Sequence, residues 1–132
     1  MNSTNPPPAD PPLDGRLHFV KHKGHAIYVI DFSHCTAKEI LLLLDMIRAD
    51  ISQHPPASLL SLADFTGAHI DKEVATKAKK ILVLDRPYIK KSAWVGTKSL
   101  PHVYYENFKS FSQRDLPTFN TREEAMEWLV EE

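Results

Sequence analysis

One cysteine, Cys35, is all that the 132 residues contain. No intramolecular disulfide can form, and neither a secreted disulfide scaffold nor a zinc–thiolate cluster is available, so a reducing cytoplasm is the expected setting. An excess of charge of one sign is also missing. The formal net charge of -1 provides no cationic surface to displace phosphate counterions, which argues against a sequence-independent grip on nucleic acid. Long apolar runs are absent too: the stretch Ile40 to Leu44 is far too short to span a bilayer, and the N-terminus has neither a basic region nor the apolar segment of a secretory leader. The expectation is a soluble cytoplasmic protein with no membrane span. What remains, 42% hydrophobic and 25% charged residues, suits one globular domain of common size.

Residues 1–15, MNSTNPPPADPPLDG, hold five of the ten prolines and only two large apolar residues, Met1 and Leu13. Such a composition cannot bury enough surface to offset the entropy of ordering, so a flexible proline-rich tail is expected over 1–15 and a single α/β domain over 16–132. Within the domain, RLHFVKHKGHAIYVIDF reads as two period-2 strands joined near Lys23-Gly24, a hairpin. TAKEILLLLDMIRADISQ follows as a helix, with Thr36 and Glu39 spaced as a capping box, Ile40, Leu44, Ile47 and Ile51 on one face, and prolines 55 and 56 ending it.

SLLSLADF is a third strand, apolar enough to be covered on both faces. From Asp71 onward, Val74, Ala78, Ile81 and Leu82 recur at helical spacing up to a stop near Pro87. SAWVGT is a fourth strand. Ser99 is then expected to open a helix with Pro101 in its first turn and Leu100, Tyr104, Phe108 and Phe111 facing inward. A short strand, LPTFN, leads to TREEAMEWLVEE, where Thr121 and Glu124 are spaced as a second capping box and Ala125, Trp128 and Leu129 point to the core. The fold expected is α/β: an N-terminal hairpin, then βα repeats, giving a mostly parallel five-stranded sheet with about four helices.

In such a sheet every helix starts beyond the carboxyl ends of the strands, the edge where ligands usually bind. Ser33, Thr97, Ser99 and Thr121 converge on that crest, together with Asp64, Thr66 and Gly67 at the third strand end. The order of elements, with Asp64-Phe65-Thr66-Gly67 at this junction and the C-terminal pattern RDLPTFNTREEAMEWLVEE, resembles the STAS or SpoIIAA-like fold of sulphate transporters and anti-sigma factor antagonists. It is also similar to small bacterial STAS-like proteins related to lipid-carrying CRAL-TRIO-type folds. In the antagonists, the strand ends in an Asp-Ser-Ser-Gly-like motif whose second hydroxyl is phosphorylated by a partner kinase. The resemblance implies that Thr66, between Asp64 and Gly67, stands in that place.

The residues also allow plainer roles. Thr66 can cap or order the turn while Gly67 takes a positive φ. Cys35 beside His34 suggests an activated thiolate, with no third residue to orient it, and Asp31, Ser33 and His34 are too close in sequence for a triad. His18, His22 and His25 could approach one another across the hairpin without a recognisable metal spacing. Residues 72–91 carry a net of five positive charges and the last twelve residues five glutamates against one arginine, an asymmetry suited to an acidic partner or to self-association, or simply to solvated faces. No catalytic constellation and no cofactor motif is present. The expectation is therefore a non-enzymatic STAS-like regulatory module that binds a protein partner, under phosphorylation control at Thr66; the alternative is a carrier or sensor of a small apolar or anionic ligand at the crest.

Overall fold

Lys23 and Gly24 both take positive φ, 50° and 82°, the two-residue turn whose twist matches that of hairpin strands. It joins β1 (Leu17–His22) to β2 (His25–Asp31), which pair antiparallel. The computed structural model describes residues 13–131; the expectation of a flexible tail, as far as it concerns residues 1–12, lies outside the described residues. The domain reaches back beyond Arg16, because the Arg16 amide donates to the Leu13 carbonyl and Leu13 packs partly buried against the core.

Four βα-type steps follow. Thr36 and Glu39 form the expected reciprocal capping box at the start of α1 (Ala37–Ile51). β3 (Leu59–Asp64) is buried at every residue, as its unbroken apolar pattern requires. The Asp71 carboxylate caps α2 (Lys72–Asp85), accepting from the Val74 amide at 2.8 Å. A 3-10 turn at Arg86–Tyr88, with Pro87 stopping the helix, leads into β4 (Ile89–Val95). Then come α3 (His102–Ser112), β5 (Thr118–Phe119) and α4 (Arg122–Leu129).

The sheet order is β1-β2-β3-β4-β5, with β2 to β5 parallel. A sheet that advances one strand at a time in one direction brings its right-handed crossovers to one face. Accordingly α1, α2 and α3 share one apolar layer around Leu43, Ala63, Val74, Trp94 and Phe108. α4 follows the last strand and has no crossover to make; it covers the other face through Ala125 and Leu129, packed on Ile27, Val29, Leu62 and Val95. Among the described residues no helix is long and apolar enough to cross a membrane.

Several local expectations are corrected. Ser99 does not open α3: it ends a 3-10 turn (Thr97–Ser99), and Pro101 occupies the cap position without a side-chain bond. With α3 starting at His102, its inward face runs through Tyr105, Phe108 and Ser112, and Phe111 is turned outward, 57% exposed, with the Lys79 ammonium 4.9 Å from its ring centre. The second capping box is not reciprocal, since Glu124 takes the Thr121 hydroxyl at 3.2 Å instead of its backbone amide. Trp128 is only half-buried, sandwiched between Phe119 and the Lys91 ammonium at the sheet edge. β5 is two residues long and too short to cover an indole completely.

Candidate functional site

Four strand ends stand in one row: Asp31 is in register with Asp64, Asp64 with Val95, and Val95 with Phe119. Two carboxylates are thus neighbours at the crest and would repel without an intervening cation. Arg122 supplies it. Its Nε lies 2.8 Å from Asp64 Oδ2 and its Nη2 3.3 Å from Asp31 Oδ1. A cation in the first turn of a helix opposes the helix dipole, so the carboxylates rather than α4 itself decide where this guanidinium sits. Arg16 closes the row from the far side, with Nη1 3.7 Å from Asp31 Oδ1 and donating to the Asp31 and Ser33 carbonyls at 3.2 and 2.7 Å.

The other oxygen of Asp64 organises the loop. Oδ1 accepts from the Thr66 amide at 2.9 Å and from its hydroxyl at 2.7 Å, a turn closed by an aspartate side chain two residues back. Burial by itself would raise the Asp64 carboxyl, but the bonds from Thr66 and from Arg122, with the charge of Arg122, outweigh it and hold the group below its ordinary value. Two glycines let neighbouring loops close on this turn. Gly67 has φ 66° and any Cβ there would lie 2.3 Å from His34 Nδ1; Gly96 has φ 70° and its Cβ would meet Thr66 Oγ1 at 2.3 Å and Thr66 N at 2.4 Å. The His34 amide donates to the Thr66 carbonyl at 2.8 Å, and the Gly67 amide donates to Ser99 Oγ at 2.8 Å.

Thr66 is therefore no helix cap, a role that Asp71 fills; it is an exposed residue whose hydroxyl donates into the turn. Asp64, Thr66, Gly67 and Ser99 meet around one loop. Ser33 joins through its amide bond to Asp31 Oδ1 at 2.9 Å, and Thr121 caps the helix that carries Arg122. The Thr97 side chain enters no hydrogen bond among the described residues. Sequence reasoning missed Arg16, Asp31 and Arg122 as members of the site. Two aspartates, each ending a parallel strand, were the available signal.

Other candidates resolve into structural roles. Cys35 is fully buried and burial pushes its thiol up to about 11, with only Arg16 acting the other way, which disfavours the thiolate at neutral pH. His18 pairs with the Gly15 carbonyl and His22 with Glu127, and no group of three or more His, Cys, Asp or Glu among the described residues is arranged to hold a metal. Part of the basic run serves the fold itself: Lys77 bonds Asp45 at 2.8 Å, and Lys91 donates to the Trp128 and Glu131 carbonyls at the end of α4.

A second locus lies inside the helix-covered face of the sheet. A cavity of about 70 Å³, walled by Phe65, Trp94, Phe108 and aliphatic side chains of α1 and α2, ends at Ser61, Asp85 and Arg114. Ser61 Oγ and Ser92 Oγ are 2.9 Å apart, Arg114 Nη2 donates to Ser92 Oγ, and Arg114 Nη1 donates to the Leu82 carbonyl at 3.3 Å. Arg48 Nη1 donates to Asp85 Oδ1 at 3.2 Å. Burial raises the Asp85 carboxyl to about 6 despite the opposing charges of Arg48 and Arg114, and burial lowers the Arg114 guanidinium to about 10. This polar end was not foreseen. Its trace in the sequence is a serine at a core-facing position of two adjacent apolar strands. Compared with protein-family models, with curated proteins and with solved structures, the chain finds no match.

Proposed function

We propose that the chain is a non-enzymatic STAS-like regulatory module that presents its crest to a protein partner, with Thr66 as the phosphorylated switch residue. One observation carries this reading: exposed Thr66 donates its hydroxyl to the same carboxylate, Asp64, that holds Arg122. A phosphoryl group on Thr66 would remove that donor and set a dianion beside the carboxylate. Arg122, the cation already in reach of Asp64, is the group that would turn to the phosphate. The modification would thus reshape the loop and the first turn of α4 together, which is the surface offered to the partner.

The test is phosphopeptide mapping of protein from its own host, combined with Thr66→Glu. Thr66 should be found modified, and the variant should stay folded while its Arg122 Nε–H resonance shifts and its affinity for the host partner changes by at least about tenfold, a coupling of about 1.4 kcal/mol. Thr66 unmodified under all growth conditions, with Thr66→Glu binding normally, would sink the reading.

The carrier reading stands second and is favoured by a separate observation, the apolar cavity beside Trp94 and Phe108. It moves the ligand from the crest, where the sequence led us to expect it, to the interior of the helix-covered layer.

A further inference from the structure

Arg114 differs from Arg16, Arg48 and Arg122, each of which pairs with a carboxylate. It is partly buried, donates only to a serine hydroxyl and a backbone carbonyl, and enters none of the ion pairs among the described residues. Asp85, the carboxylate whose charge acts on it, is engaged by Arg48. Two guanidiniums thus share one carboxylate in a desolvated setting, where an uncompensated charge is costly. Arg114 and Ile89 also line an open groove of about 400 Å³ on their other side, where Arg86, Lys90 and Lys91 outnumber Asp115. They stand between the basic groove and the apolar cavity.

We propose that the cavity and Arg114 together form a binding site for a short-chain aliphatic carboxylate, whose hydrocarbon enters the cavity and whose carboxylate pairs with the Arg114 guanidinium. The inference rests on the carrier reading and gives it a ligand class. Size limits the chain: a dry cavity of about 150 Å³ accepts benzene, so one of about half that volume accommodates about three or four carbons. Charge selects the head. The groove attracts an anion and repels an amine, and a planar carboxylate matches the fork of a guanidinium. Ser92, bonded to Ser61 and accepting from Arg114, holds the guanidinium at the boundary. A few water molecules could also fill such a volume, but the walls beyond the polar end offer them no partners.

The test uses the full chain with isotope-labelled methyl groups and four conditions: butanoate, 1-butanol, inorganic phosphate, and no addition. Butanoate should shift the methyl signals of Ile30, Leu44 and Ile81 and the Arg114 Nε–H signal, and should bind at least about tenfold more tightly than 1-butanol, as a charge-assisted pair requires. Arg114→Met should reduce butanoate to the affinity of the alcohol. Ala63→Val, which fills the cavity from β3, should abolish binding of both while leaving the melting temperature within a few degrees; if Arg114→Met does not fold, this variant and the acid–alcohol comparison decide. Equal affinity for alcohol and acid would overturn the carboxylate assignment and leave the carrier reading standing. No shift with either would overturn both. Phosphate shifting Arg114 as butanoate does, with methyl signals unmoved by any compound, would reduce the site to an anion-binding groove and refute the proposal.

Discussion

Asp85→Asn isolates one buried charge. Asp85 is the last residue of α2, its side chain is 4% exposed, and its partner is Arg48 at 3.2 Å. Burial raises its carboxyl from 3.8 to about 6. The folded protein therefore holds this proton more tightly than the unfolded chain does. Ionising Asp85 subtracts nothing from stability below about pH 4 and its full cost above about pH 6, the reverse of a salt-bridged surface aspartate. A rise of that size corresponds to about 3 kcal/mol, most of which develops between pH 4 and pH 7. Asparagine does not titrate, so the stability of the variant relative to the wild type should rise by that amount over the interval, whatever the fixed effect of the substitution. Asp64, whose carboxyl is held low, titrates in both proteins and cancels. Urea unfolding followed by the fluorescence of Trp94, whose ring lies tilted against Phe65 with centroids 4.6 Å apart, measures both proteins at each pH. A difference that stays flat within about 0.5 kcal/mol, or that falls with pH, would show that Asp85 is not desolvated and that the polar end of the cavity is open to water.

Two further outcomes follow from the packing. Gly96→Ala should destabilise by at least about 2 kcal/mol, because φ 70° disfavours a Cβ and the Thr66 backbone nitrogen would lie 2.4 Å from it; thermal unfolding reads this, and a silent substitution would mean that the crest loops are not clamped. Leu129→Ala should cost roughly 2–5 kcal/mol by denaturant unfolding because Leu129 is 1% exposed, whereas Phe111→Ala should stay within about 0.5 kcal/mol; the reverse order would invert the faces assigned to α3 and α4.

How much the chain tells before it folds depends on the distance over which its signals act. The capping box of Thr36 and Glu39, the hairpin turn at Lys23-Gly24, the breaks at prolines 55, 56 and 87 and the order of strands and helices were legible because each is settled within a few residues. The crest was legible as a consequence, since alternating strands and helices place every strand end at one edge. Which side chain serves which neighbour was not. Arg122 reaches Asp64 across 58 residues of sequence, and Ser61 meets Ser92 across 31. Phe111 carries the same hydrophobic character as Phe108, yet one faces Lys79 and the other the core, because two residues three apart point about 60° away from each other around a helix, and which of them meets the sheet is set by how the helix docks. The pairing of charges and the shape of the interior are set only when separate elements dock: Coulomb attraction and close packing act through space, and composition and periodicity along the chain do not specify that distance.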